Sequence, residues 1–131
     1  MEVSKTYLDI YNQNALFDRL GEMFLSNIDI PILIFIEDFK DYPLMNFLQK
    51  KSLEMNLGNA RFIQDEETLT AHTSNIHNVS TGIYPIIGAY IRGLDFKLQQ
   101  DAFGLVLMNG DGTFNTADID QAAGRVNRSQ G

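Results

Sequence analysis

Six consecutive apolar residues, Pro31-Ile-Leu-Ile-Phe-Ile36, constrain this 131-residue chain more than any other stretch. A half-exposed strand would alternate apolar with polar. This run has no polar position, and its β-branched content suits a strand buried on both faces of a parallel sheet. Such a strand needs helices packed on either side of it, so the expected class is α/β with a mainly parallel sheet. At six residues the run is far too short to span a bilayer.

The rest of the chain supplies elements to match. Leu16, Phe17, Leu20, Met23 and Phe24 recur at intervals of three and four, which predicts an amphipathic helix from Asn14 to about Ser26, with Asn14 as its cap. An earlier helical piece is expected from Ser4 to Tyr11. Asp41 can cap a helix that tolerates Pro43 in its first turn, turns Leu44, Phe47, Leu48 and Met55 inward, and ends at Gly58. Ala60–Ile63 reads as a short second strand. Asp65 then starts a helix that carries Leu69, His72 and Ile76 and fades near Asn78. Further strands are expected at Tyr84–Ala89 and Gly104–Met108, and a last helix from Thr116 through Val126 with Asp118 and Asp120 in its first turn. The domain reading is therefore one unit over 1–131, with leading helices in 1–30 and the α/β core in 31–131.

Composition narrows the function classes. Apolar residues at 44% and charged residues at 21% describe an ordinary globular chain rather than a disordered one. Cysteine is absent, which removes disulfide frameworks and thiolate metal sites and fits a reducing, cytoplasmic setting. The first ten residues mix Glu, Lys and Asp with isolated apolar positions, unlike a signal peptide, and membrane insertion is not expected. A net charge of −7 argues against strong autonomous binding to nucleic acid, which depends on clustered cations.

Two motifs carry chemistry. Gln121-Ala-Ala-Gly124-Arg125-Val-Asn-Arg128 sets two arginines three apart behind a glycine, a pattern able to grip phosphate oxygens bidentately while a partner backbone comes close. The same spacing also describes a solvated helix face. Arg92-Gly93-Leu94-Asp95 lies upstream, and each motif follows a short apolar run, where parallel sheets keep their ligand loops.

Together these segments resemble the nucleotide-binding motifs of superfamily 2 helicases and translocases. Gln121-x-x-Gly124-Arg125-x-x-Arg128 is similar to motif VI and Arg92-Gly93-x-Asp95 to motif V. The tail as a whole is similar to SecA-like preprotein translocase motors, and the likeness spans roughly residues 31–131. The resemblance implies a RecA-like three-layer domain, the second motor lobe, with helices on both faces of its sheet. In that family ATP with Mg²⁺ binds between two lobes, and the second lobe's arginines meet the γ-phosphate. By this likeness Arg125 and Arg128 take the catalytic role, Gln121 and Gly124 support them, and Arg92, Gly93 and Asp95 contact the nucleotide or couple to motif VI. The implied partners are a first lobe with a P-loop and a nucleic-acid or polypeptide substrate. The pattern departs from the family at Ile87, Tyr90 and Ile91, where motif V has Thr and small residues, and at Ala122, where Arg is common. Loss of those polar groups weakens coupling between nucleotide and substrate. No Gly-x-x-x-x-Gly-Lys-Ser/Thr stretch occurs, so the chain alone is at most half of an ATPase site. Such a lobe normally continues past Arg128-Ser-Gln-Gly131, which reads as a fragment or as a smaller standalone protein. The alternative from another class is a non-enzymatic interaction domain in which the arginine motif is a coincidence or a relic.

Three weaker patterns have plainer explanations. Arg61-Phe-Ile-Gln-Asp65-Glu66 looks like a strand ending in a Mg²⁺-binding acid pair, but Asp65 as a helix cap, with Glu66 and Glu67 complementing the dipole, explains it better. Asn109–Asp118 is similar to an EF-hand calcium loop. Its first ligand position falls on apolar Leu107 and its last is Asp118 rather than Glu, so a Gly/Asn/Asp turn is preferred over calcium. His72 and His77 lack a third ligand for zinc, and no Gly-x-Ser-x-Gly elbow supports nucleophilic hydrolysis.

Overall fold

Pro31–Ile36 forms strand β2, and all six residues are buried. A computed structural model describes residues 2–7, 13–36, 42–73, 81–87 and 102–108 of the chain, the first segment as backbone only. Around β2 the elements run β1 (Glu2–Tyr7), α1 (Gln13–Ser26), β2, α2 (Tyr42–Glu54), α3 (Glu66–Thr73), β3 (Gly82–Ile87) and β4 (Phe103–Met108). The strands form one four-stranded sheet in the order β1-β4-β2-β3, and every pairing is parallel. The α/β class and the parallel sheet expected from the sequence are therefore present.

Alternation along β2 sorts the core. Ile32, Ile34 and Ile36 join Ile83, Phe103, Leu105 and Leu107 in one cluster with Leu16, Leu20 and Phe24 of α1 and Leu44 and Leu48 of α2. Both helices therefore cover the same face of the sheet. Each fully buried side chain of this size contributes about 1.5–3 kcal/mol. Leu33, Phe35, Tyr84, Ile86 and Val106 occupy the intervening positions and are also buried, so the sheet has no wet face here. Between the helices, Phe17 and Phe47 stack at 4.3 Å with rings 6° from parallel. Gly21 is buried beside Lys51, and a β-carbon there would meet Lys51 Cε at 3.5 Å, an ordinary van der Waals contact.

The first strand differs from expectation. Residues 2–7 are extended and pair with β4 along their whole length, from Glu2↔Phe103 to Tyr7↔Met108. No helix runs over Ser4–Tyr7, and 1–30 is not a purely helical leader. Val3, Thr6 and Tyr7 favour strands, and pairing with β4 outweighs the weak helical character of this polar segment. Asn14 lies inside α1 rather than capping it.

α2 ends earlier than Gly58. The N–H of Leu57 donates to the carbonyl of Ser52 (2.9 Å) and that of Asn56 to Leu53 (3.1 Å), the paired bonds of a Schellman turn. Asn56 adopts the left-handed conformation this requires, with φ 59°. Gly58, at φ 76°, shapes the next step instead, and the buried hydroxyl of Ser52 donates to its carbonyl at 2.6 Å. Gln49 fastens the exit: its amide donates to Asn59 Oδ1, and its carbonyl accepts the N–H of Ala60.

Ala60–Ile63 does run beside β3, but it makes a single parallel bridge, Ile63↔Ile86, rather than a full strand. Pro85 gives the reason. Arg61 N–H donates to Ile83 O, Ile63 N–H to Pro85 O, and Ile87 N–H to Ile63 O. Continuing the ladder back to Arg61 would need an N–H at position 85, and proline has none. Arg61 instead sends its guanidinium across Gly82 to the carbonyl of Thr81 (3.2 Å) and the hydroxyl of Tyr84 (2.6 Å). A β-carbon at residue 82 would sit 2.6 Å from Arg61 Nη1, so the guanidinium would have to shift to make room for it.

Candidate functional site

The parallel sheet has one edge at which all four strands end. Ile36 is level with Ile87 of β3 and Leu107 of β4, and Thr6 of β1 is level with Leu107. Open parallel sheets bind ligands outside this carboxyl edge, at the place where the chain reverses its direction of winding. Here the chain moves from β1 past β4 to β2, then past β3 to the strip Ala60–Ile63, and returns to β3 and finally β4. The reversal therefore falls between β2 and β3.

The two strands that precede the motifs in the sequence, β3 and β4, both end at this edge: Arg92 is the fifth residue after Ile87, the end of β3, and Gln121 the thirteenth after Met108, the end of β4. Those two strands flank β2 on either side. Arg92, Gly93, Asp95, Gln121, Gly124, Arg125 and Arg128 themselves lie outside the described residues, as do the last helix, expected over Thr116–Val126, and His77.

The other candidates can be placed. Asp65 is the cap of α3: its Oδ1 accepts the N–H of Thr68 at 2.7 Å and the Thr68 hydroxyl at 2.8 Å. Thr68 Oγ1 in turn accepts the N–H of Asp65 at 3.1 Å, a reciprocal box that satisfies donors at the helix start. These bonds to Thr68, backbone first and side chain second, hold the Asp65 carboxyl below its ordinary 3.8. Glu66 and Glu67 occupy the first turn, where the helix dipole favours them. The acid pair thus has a structural task that needs no metal. Thr68, the partner the sequence reading missed, carried a visible signal in the spacing Asp-x-x-Thr.

Leu107, the first position of the calcium-like loop, is buried within β4 and cannot serve as a ligand; the remainder of that loop lies outside the described residues. Among the described residues no group of three or more His, Cys, Asp or Glu is placed to hold a metal. No described helix is long and apolar enough to cross a membrane. No protein-family model, curated protein or solved structure matches the chain.

Proposed function

We propose that this chain is the second RecA-like lobe of an ATP-driven helicase or SecA-like translocase. In this reading it completes a nucleotide site whose P-loop and Mg²⁺-binding carboxylate belong to a first lobe. The observation that supports it is that β3 and β4, the strands preceding the two motifs in the sequence, both end at the carboxyl edge of a parallel sheet, on either side of β2. The reversal of winding fits a three-layer domain as well. Under the right-handed rule for parallel crossovers, the outgoing and returning connections would take opposite faces.

In this assignment Arg125 and Arg128 are the catalytic residues. Their guanidinium groups stabilise charge spreading over the transferred phosphoryl oxygens, in a site closed to water, where such interactions are strongest. Gln121 supports them by hydrogen bonding and Gly124 lets a partner backbone come close, while Arg92, Gly93 and Asp95 form the neighbouring loop. The polymer moved is nucleic acid or polypeptide, and the net charge of −7 favours polypeptide.

The test is ATP turnover by the two-lobe protein. Arg125→Ala or Arg128→Ala should each lower turnover by about 10³-fold or more, as loss of an arginine finger does, with circular dichroism unchanged. Unchanged turnover, or a gene product with no P-loop domain, would leave the non-enzymatic interaction domain as the better account. Stimulation by RNA or DNA on one side, and by unfolded polypeptide on the other, separates helicase from translocase.

A further inference from the structure

We draw no further inference here: the strongest candidate, the two exposed leucines Leu25 on α1 (62%) and Leu53 on α2 (52%), is a pair of single apolar side chains, and nothing among the described residues shows what covers either.

Discussion

β2 and the strip Ala60–Ile63 both look like strands in the sequence, yet one is the spine of the sheet and the other makes a single bridge. β2 has six buried residues and a neighbour on each side. The strip has only β3 beside it among the described residues, and Pro85 of β3 withholds the N–H that a second bridge would use. A strand's own composition decides whether it can be buried. Its partner's backbone decides whether it can be paired.

The largest expected effect comes from emptying the spine. Phe35→Ala removes a fully buried ring from the central strand and should cost about 3–5 kcal/mol, read as a lower midpoint in urea denaturation. A loss below 1 kcal/mol would mean that β2 is not the packed centre described here.

The strip is bounded by a cap, and that boundary carries a pH signature. Because the folded state holds the Asp65 carboxyl below 3.8, the ionised form is favoured by folding. Its stabilisation is fully present above 3.8 and fades as pH falls through the lower folded value. Asp65→Ala should therefore lower the Tm measurably at neutral pH, with the gap to the parent chain closing in acid. A gap that persists unchanged in acid would rule out the carboxylate as its source.

The smallest effect is the most specific. Pro85→Ala supplies the missing donor, so Arg61 O gains a partner and the strip can lengthen. The added bond contributes about 0.5–1.5 kcal/mol, while loss of proline's restriction on the unfolded chain offsets about 0.4–1 kcal/mol. Net stability should hardly move. Hydrogen exchange at the amides of Arg61 and Ile63 should nevertheless slow; unchanged exchange would show that the strip is short for another reason.

The same contrast explains what could be read in advance. β2, β4, α1 and the Asp65 cap announce themselves locally, through an unbroken apolar run, a three-four spacing or a capping residue. Residues 2–7 do not. Glu2, Ser4 and Lys5 are compatible with helix, and their strand identity comes from β4 at the far end of the chain. The end of α2 was misplaced for a different reason: Gly58 is the expected left-handed residue, but Asn56 accepts φ 59° two residues sooner. For the candidate site, the residue types of 92–95 and 121–128 were legible as a pattern. That β3 and β4 should flank β2 was not, because strand order is a property of the whole sheet.

The most direct test of the central claim asks whether those two segments meet. The chain has no cysteine, so thiols can be introduced in pairs without background. Asp95→Cys combined with Gln121→Cys joins the two motifs. Asp95→Cys combined with Leu25→Cys is the control, since Leu25 lies at the exposed end of α1, just before the turn into β2 at the opposite, amino edge. A short bifunctional thiol reagent should cross-link the first pair within one chain and leave the second unlinked. Failure to link the first pair, or equal linking of both, would contradict a shared nucleotide site at the carboxyl edge.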